Sequence, residues 1–239
     1  MANLDFDKTP FSAPNGKKVF GTVDTPVDFL EALGTDEALK RTLSPLLRVP
    51  MRFYRDNVIA GEEDAAEHIF FVVRGIVRSC KIFEHGARNI VAFYLPGDLL
   101  GWTDLQQNSL TIEAATDTEV LFLKRNTLLS LASRDSRVAS FLLAATTNEL
   151  GRAQAHILLM SKSAKCRLAT FLTDLWVRLG NPEYLDVPMS YQDIADHVGL
   201  KIETVSRAIT DLERSKMVTR VSTRRLLLQN RLAFGHMMN

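Results

Sequence analysis

The sequence has few cysteines and no long hydrophobic run. Among its 239 residues are two cysteines, Cys80 and Cys166, and they form no CxxC pair and no cysteine–histidine cluster. This spacing lacks the usual zinc and iron–sulfur motifs, and we expect both thiols to be reduced and buried or half-buried. No apolar stretch approaches the roughly 18 residues that a membrane span requires. We therefore predict a protein without a metal, a cofactor or a membrane segment.

Catalytic motifs are also missing. The chain contains no G-x-S-x-G, H-E-x-x-H or phosphate-loop pattern, and none of its five histidines stands in a nucleophile or metal motif. His68, His85 and Cys80 are of the types that hold a haem iron, but we expect them to be ordinary strand or surface residues. We expect His197 at an exposed helix face or near a phosphate. These absences predict that the protein is not an enzyme.

The composition is that of an ordinary globular protein. Hydrophobic residues make up 46% of the chain and charged residues 24%, which suffices for a sizeable core in one or two domains. Residues 1–25 carry lysines, prolines and a glycine, but no apolar segment of the kind found in secretory signals. We therefore interpret them as a flexible arm and predict a cytoplasmic protein.

Positive charge is concentrated towards the end of the chain. Residues 201–231 hold eight basic and three acidic side chains, a net charge of +5, whereas the whole chain has a net charge of +1. A basic segment on an acidic body suits contact with phosphates, which supply most of the nonspecific affinity for nucleic acids. A solvated basic surface has the same composition, so charge alone does not decide between these interpretations.

The stretch 190–213 has the pattern of two short helices joined by a tight turn. Ser190 and Asp193 stand three residues apart, as in the capping box that begins many helices. Apolar residues then recur at helical spacing. Gly199 supplies a residue that readily takes a positive φ angle and turns the chain. The pattern predicts a helix–turn–helix unit.

The second helix of this unit has one apolar and one polar side. The apolar side consists of Val205, Ala208, Ile209 and Leu212. The polar side consists of Glu203, Ser206, Arg207 and Thr210. Such a face offers a donor, an acceptor and hydroxyls in a fixed register, which a reader of the DNA major groove needs. The alternative is an amphipathic helix pair in a globular core, with Glu203 and Arg207 forming an ordinary ion pair in water.

Strand patterns occupy two other parts of the chain. Residues 217–221 and 225–229 predict a hairpin beside the helix pair. Between the first helices and the predicted helix–turn–helix, short apolar runs separated by turn signals predict an antiparallel roll or barrel. These runs are residues 53–54, 57–60, 68–73, 76–83, 89–94 and 119–123. Residues 28–47 carry apolar residues at helical steps and predict one or two helices before the roll.

Residues 188–207, PMSYQDIADHVGLKIETVSR, closely resemble the winged helix–turn–helix of the CRP/FNR superfamily of bacterial transcription regulators. Within them, ETVSR at 203–207 is similar to the version found in the FNR and FixK branch. FVVRG at 71–75 and YLPGDLLG at 94–101 resemble the cyclic-nucleotide-binding β-roll of the same superfamily. Together these resemblances cover about residues 49–229.

The resemblance implies an α+β fold in four parts. Residues 1–25 are the flexible arm, and residues 26–133 are an antiparallel β-roll, a sensor-like domain with flanking helices. Residues 134–161 are a long dimerisation helix, and residues 162–239 are a winged helix–turn–helix DNA-binding domain. Residues 161–163 are the hinge, and we expect Ser163 to cap the next helix.

The predicted dimerisation helix carries an apolar stripe at a spacing of roughly 3.5–3.7 residues, as a helix that packs on a partner requires. The stripe consists of Val138, Leu142, Ala145, Leu150, Ala153, Ile157 and Met160. In the family, the corresponding helix forms a two-fold dimer interface, which implies a homodimer here. The alternative is that the stripe packs only on its own roll.

The resemblance also bears on ligands. Family members that bind cyclic AMP have a glutamate for the ribose and an arginine for the phosphate, since a buried phosphate needs a charged, bidentate partner. Here Gly101 is followed by Trp102, and the later pair is Asn108 and Ser109. We therefore expect no nucleotide in the roll. The arm has no cysteines for the iron–sulfur cluster of the family's oxygen sensors, and FixK-type members are typically active without an effector.

The resemblance implies an inverted-repeat DNA site with half-sites like TTGAT. The predicted base-contacting residues are Glu203, Ser206, Arg207 and Ile202. Among them, Glu203 would accept from cytosine and Arg207 would donate to guanine. The predicted phosphate-contacting residues are Ser190, Lys201, Thr204, Thr210, Arg214 and Arg224. Lys201 stands where related sequences often have a threonine, and unlike threonine it cannot cap the helix.

We therefore predict a transcription regulator, usually an activator, that binds double-stranded DNA as a homodimer, contacts RNA polymerase and needs no effector. The FixK resemblance implies a role in nitrogen fixation or microaerobic regulation. Two alternatives stay open. One is a regulator whose roll binds a small molecule other than cyclic AMP, and the other is a structural winged-helix module without salt-dependent DNA affinity.

Overall fold

The computed structural model describes residues 11–12, 18–19, 37–47, 49–101 and 107–229. Two short strands, β1 (Phe11–Ser12) and β2 (Lys18–Val19), pair within the predicted arm, and the rest of the arm lies outside the described residues. From the helical region predicted over 28–47, the structure describes α1 (Glu37–Leu43) and a 3-10 turn (Ser44–Leu46). The earlier part of that prediction lies outside the described residues.

The predicted antiparallel roll is confirmed as two four-stranded sheets. Its strands are β3 (Met51–Phe53), β4 (Val58–Ala60), β5 (His68–Arg74), β6 (Val77–Ile82), β7 (Arg88–Tyr94), β8 (Leu99–Leu100), β9 (Thr111–Ala114) and β10 (Thr118–Lys124). One sheet has the order β3-β10-β5-β8 and the other β4-β9-β6-β7. The sequence pattern missed β8, which has two residues, and β9, in which the charged Glu113 interrupts the apolar run.

β5 is an interior strand of its sheet, between β10 and β8, and both of its faces are apolar and buried. Successive side chains of a strand point to opposite sides. Ile69 and Phe71 therefore pack with residues of the flanking helices, while Phe70 and Val72 pack inside the roll. Gly75 ends the strand at φ +76°, and a Cβ atom there would lie 2.2 Å from the main-chain oxygen of Asp117. Only glycine fits this turn without displacing the backbone.

The remaining elements are helices and a small sheet. The helices are α2 (Arg125–Ala132), α3 (Ser136–Met160), α4 (Ala164–Arg178), α5 (Tyr191–Val198) and α6 (Ile202–Arg214). The strands β12 (Val218–Ser222) and β13 (Arg225–Leu228) form the predicted hairpin, which we call the wing. A third strand, β11 (Leu185–Asp186), was not predicted and pairs with β13, so the sheet order is β11-β13-β12. The hydroxyl of Ser163 accepts a hydrogen bond from the main-chain N–H of Cys166, which confirms the predicted cap of α4. No helix in the described ranges combines the length and apolar character needed to cross a bilayer.

The apolar stripe predicted on α3 is divided between two environments. Val138 and Leu142 are buried in the roll core with α1 and β5, so the prediction that they line a dimer interface is wrong. Ala145 and Met160 are half-buried, and Leu150, Ala153 and Ile157 are exposed. Helical periodicity identifies residues that need a partner, but it does not distinguish a partner in the same chain from one in another subunit. The first turns of α3 are buried against the roll core. The later turns keep polar contacts with the roll, such as Arg152 Nη1 to Asp98 Oδ1 at 2.8 Å, and leave one apolar side exposed.

Candidate nucleic-acid interface

The predicted helix–turn–helix is formed by α5 and α6. Ser190 Oγ accepts a hydrogen bond of 3.0 Å from the main-chain N–H of Asp193, and Asp193 Oδ2 accepts one of 3.2 Å from the N–H of Ser190. These two bonds are the predicted capping box. Gly199 follows α5 at φ +63° and ψ +44°, in the left-handed region that glycine adopts readily. Local sequence signals therefore fix both the start of α5 and the turn into α6.

α6 buries one side and exposes the other, as predicted. The buried side chains are Val205, Ala208, Ile209 and Leu212. The exposed side chains of the first two turns are Ile202, Glu203, Ser206 and Arg207. Thr204 and Thr210 are half-buried at the borders of this face. The four predicted base-contacting residues therefore lie together on the exposed side of a helix whose back is fixed by the domain core.

The side chains of Glu203 and Arg207, the two charged residues of this face, do not form an ion pair with each other. Arg207 Nε donates a hydrogen bond of 3.3 Å to the main-chain oxygen of Glu203, and not to its carboxylate. Within the described part of the chain, neither the Glu203 carboxylate nor the Arg207 guanidinium forms an ion pair. The alternative of an ordinary Glu203–Arg207 pair does not describe this structure. Both groups are therefore available to an external partner.

Three exposed basic residues lie at the ends of α6 and in the wing. Lys201 precedes α6 and makes no side-chain cap, in agreement with its chemistry. Arg214 Nη1 lies 3.7 Å from Asp211 Oδ1 at an open surface, where an ion pair holds its members weakly. Arg224 in the wing is exposed as a residue, and its Nη1 donates a hydrogen bond of 3.1 Å to the carbonyl oxygen of Pro188. Lys201 and Arg214 thus stand at the two ends of α6, and Arg224 stands in the turn between β12 and β13.

Two predicted phosphate contacts are not supported by the geometry. The Ser190 hydroxyl already serves the capping box, and its partner Asp193 points into the roll, where it meets Arg78 and Arg88. This helix start faces the roll, so the structure gives no support for a phosphate contact at Ser190, which stays a prediction. The Thr210 hydroxyl donates to the main-chain oxygen of Ser206 at 3.2 Å. Its single proton is therefore already engaged.

The expectation for His197 is wrong. Its Nδ1 lies 3.0 Å from the main-chain oxygen of Ile90 in β7, and its ring packs 4.5 Å from the ring of His156 and 5.1 Å from that of Phe93. The pKa of His197 is lowered to about 4, mainly by burial and then by the charge of the neighbouring His156, while the hydrogen bond with the Ile90 carbonyl opposes this with a smaller effect. His197 is thus a neutral side chain between α5, the roll and α3.

The roll uses its polar residues for its own structure. Asn108 is buried, and its side-chain amide donates a hydrogen bond of 3.0 Å to the carbonyl oxygen of Gly61. Ser109 is exposed, and Trp102 lies outside the described residues.

Cys80 is fully buried, and burial raises the pKa of its thiol to about 11, which disfavours the reactive thiolate. Within the described ranges, no group of three or more potential ligand residues is placed to hold a metal.

Comparison with known proteins gives consistent matches in both halves of the chain. Residues 50–135 match the cyclic nucleotide-binding domain family, and residues 166–234 match the Crp-like helix-turn-helix domain family. The chain is 41% identical over 193 residues to the nitrogen fixation regulation protein FixK of Azorhizobium caulinodans, covering 78% of each chain. It is 36% identical over 162 residues to FixK of Rhizobium meliloti, covering 67% of this chain and 73% of that one.

A solved structure supports the same likeness. The fold is similar to that of FixK2 from Bradyrhizobium japonicum, with a TM-score of 0.75 and 39% sequence identity. The match covers 80% of this chain and 98% of the FixK2 chain. The arrangement of roll, long helix and winged helix–turn–helix is therefore shared with FixK2.

Proposed function

Because this chain belongs to the CRP/FNR family of bacterial transcription regulators, we propose that it binds an inverted-repeat DNA site of the FNR/FixK kind as a homodimer without a bound effector. Its FixK relatives are transcription regulators, so the chain is a DNA-binding regulator and not an enzyme. The dimer, the effector-free state and the individual DNA contacts are the parts proposed here.

The observation that carries the proposal is the exposed face of α6. Arg207 projects from it without an ion-pair partner in the described ranges, and its guanidinium can donate two hydrogen bonds to O6 and N7 of a guanine. Glu203, one turn earlier, can accept from the amino group of a cytosine. Ser206 and Ile202 lie beside them and supply a hydroxyl and an apolar contact. These four side chains are suited to read a G·C pair and its neighbours.

Lys201, Arg214 and Arg224 are the proposed phosphate contacts. All three are exposed. Lys201 and Arg214 stand at the two ends of α6, which carries the four base-reading side chains, here called the reading face, and Arg224 stands in the turn of the wing. Phosphate contacts set the orientation of a protein on DNA without reading sequence, and they make its affinity depend on salt. Thr204, half-buried at the border of the same helix, is the remaining predicted contact and would add a hydroxyl. Ser190 is left out for the reasons given above.

The proposed dimer uses the exposed part of α3. Leu143, Leu150 and Ile157 recur at seven-residue intervals and are 69%, 58% and 70% exposed. Apolar residues at seven-residue intervals are typical of the contact line, or seam, between the helices of a two-stranded coiled coil. Ala153 and Met160 stand three residues after Leu150 and Ile157, at the second position of that seam. Leu143 was missed from the sequence because the stripe was drawn through Leu142, which the roll buries.

A dimer determines the shape of the DNA site. Two recognition helices related by a two-fold axis enter major grooves about one helical turn, ~34 Å, apart, so the site is an inverted repeat. Half-sites like TTGAT are the expectation from the resemblance of residues 203–207 to the FNR and FixK branch. A role in nitrogen fixation or microaerobic regulation is supported by two relatives that are named nitrogen fixation regulation proteins. We propose that the protein acts in the cytoplasm as an activator and contacts RNA polymerase there.

The absence of an effector is proposed from the residues of the roll. Asn108 stands in the region where nucleotide-binding relatives have a phosphate-binding arginine, and its amide is already bonded to Gly61. An uncharged amide provides no counter-charge for a phosphate.

Titration of a fluorescent duplex with purified protein tests the proposal. The duplex carries two TTGAT half-sites whose centres lie one helical turn apart, and the control duplex has the G·C pair of each half-site replaced by A·T. We expect tight binding to the first duplex and weak, salt-sensitive binding to the second, without any additive. Binding that requires a small molecule would favour the ligand-gated alternative, and equal binding to both duplexes would contradict base reading by α6.

A further inference from the structure

A cluster of charged side chains joins the roll to the first helix of the DNA-binding domain. Arg78 on β6 is 4% exposed, and Asp193 on α5 is 2% exposed. Arg78 Nη1 donates a hydrogen bond of 2.9 Å to Asp193 Oδ1. Its other nitrogens bind Glu113 on β9 at 2.8 and 2.6 Å and Asp56 at 2.9 Å. One buried guanidinium therefore links two strands of the roll, a loop and α5.

Arg88 makes a second set of bonds across the same boundary. Its Nη2 donates to Asp193 Oδ1 at 2.6 Å, and its Nε donates to Asp196 Oδ2 at 2.7 Å. Asp193 and Asp196 are one turn apart on α5, so this arginine at the start of β7 holds the roll-facing side of the helix. Two further contacts, the Asp193 carboxylate at 3.8 Å from Arg55 and the His197 ring at the Ile90 carbonyl, lie on the same side of α5.

Asp193 has two roles that depend on its ionised form. Burial alone would raise its pKa, but the hydrogen bond from Ser190 and the charge of Arg78 outweigh burial, so the pKa of Asp193 lies below its ordinary value. The carboxylate then accepts the capping-box bond with one oxygen and the two arginines with the other. The residue that starts the first helix of the helix–turn–helix is thus also the residue that attaches this helix to the roll.

Charged contacts of this kind fix orientation more than they add stability. The free energy needed to remove the ions from water offsets most of the free energy gained from their attraction, so the net stabilisation is small. Each hydrogen bond, in contrast, requires a particular direction of its donor and acceptor. Beneath the cluster, apolar residues of the roll and of the DNA-binding domain form one continuous core that includes Ile90, Phe93, Phe171 and Ile194. Apolar contact tolerates sliding, so the ionic bonds select one orientation of the domain over this core.

We infer that Arg78, Arg88, Asp193 and Asp196 form an interdomain latch that sets the orientation of the DNA-binding domain, and that Arg78 and Arg88 are positioning residues for DNA recognition. The inference rests on the proposed function, because its main readout is DNA affinity. The latch engages α5 and leaves the reading face of α6 exposed, so the latched orientation is the one that binds DNA.

A double-mutant cycle on the outer part of the latch tests the inference. The variants are Arg88→Ala, Asp196→Asn and the double variant, because Arg78 is too deeply buried for a clean substitution. The matched control is Lys81→Ala, which removes one positive charge from the same sheet. Lys81 pairs with Glu62, which belongs to the roll itself, so this pair does not cross to α5. We expect each latch variant to weaken binding to the palindromic duplex roughly fivefold or more. The double variant should bind the duplex with the same affinity as the single variant that binds less tightly, because both changes break the same contact. Lys81→Ala should bind with the affinity of the wild type.

Hydrogen exchange of free protein separates the latch from a direct contact with DNA. In Arg88→Ala and Asp196→Asn, the amides of residues 190–198 should exchange faster than in the wild type and in Lys81→Ala. Reduced DNA affinity with unchanged exchange would mean that Arg88 contacts DNA itself, which overturns the inference. Unchanged or increased affinity would also overturn it. If the wild type fails to bind the duplex, the proposed function fails, and the exchange comparison still tests whether the latch holds α5.

Discussion

Arg167 of α4 places its Nη1 atom 3.2 Å from the carbonyl oxygen of Gly199, at the turn between the two helices of the helix–turn–helix. The same nitrogen lies 3.2 Å from the carbonyl oxygen of Val198, and Nη2 donates to the carbonyl oxygen of Met160 at 2.5 Å. One guanidinium therefore binds the last carbonyl groups of α5 and the end of α3, where the helix dipoles favour a positive charge.

Replacing Arg167 by methionine should loosen this junction. The methionine keeps the apolar stem but leaves several carbonyl groups without a donor, and we expect the free energy of unfolding to fall by about 1–3 kcal/mol. Urea denaturation measures the change. Lys165→Met is the control, since Lys165 is on the same helix and makes one bond of 3.3 Å to Ser215. An equal loss in both variants would show that Arg167 has no special role at the turn.

Replacing Arg207 by alanine should weaken binding to the preferred duplex by about 1–3 kcal/mol and relax the preference for guanine. The reason is the loss of a bidentate contact to a base edge. Fluorescence anisotropy with duplexes that vary at the G·C pair measures both effects. Arg214→Ala provides the comparison, because loss of a phosphate contact weakens all duplexes alike and lowers the salt slope by about one. If the two variants behave alike, Arg207 does not read a base.

Replacing Leu150 by aspartate should convert the dimer into a monomer. A charge on the proposed seam has no partner there and resists removal from water. Sedimentation velocity measures the mass of the particle, and DNA affinity should fall with it. Val177→Asp is the matched control, because Val177 is also an exposed apolar residue but lies on α4. A dimeric Leu150→Asp protein would exclude this face of α3 as the interface.

Stability should decrease as the pH falls from about 6.5 to about 4. The pKa of His197 is lowered to about 4 in the folded chain, from an ordinary value of 6.5. The unfolded chain therefore binds an extra proton in this window, which favours unfolding as the solution becomes acidic. The pKa of the neighbouring His156 is also lowered by burial, which acts in the same direction.

Denaturation curves across this window test the role of His197. His197→Gln removes the titrating ring, so its stability should depend less steeply on pH than that of the wild type. His85→Gln is the control, because His85 is exposed on the β6–β7 turn, and its slope should match the wild type. A wild-type slope in His197→Gln would assign the pH dependence to other groups.

The helix–turn–helix could be predicted from the sequence because its signals are local. Ser190, Asp193 and Gly199 lie within ten residues of each other, and helical periodicity separates the two sides of α6. The latch could not be predicted in this way. Arg78 and Asp193 are 115 residues apart, and no periodic pattern indicates which charges will meet. His197 was misplaced for the same reason, since its partners come from β7, α3 and α4.

The most direct test of the central claim is binding-site selection from random duplexes with the purified, ligand-free protein. The account predicts enrichment of an inverted repeat whose half-sites are about one helical turn apart and contain the G·C pair assigned to Arg207 and Glu203. Arg207→Ala in parallel should lose the enrichment at that pair and keep the spacing. Selection of no motif, or of a single half-site without a repeat, would contradict sequence reading by a paired α6.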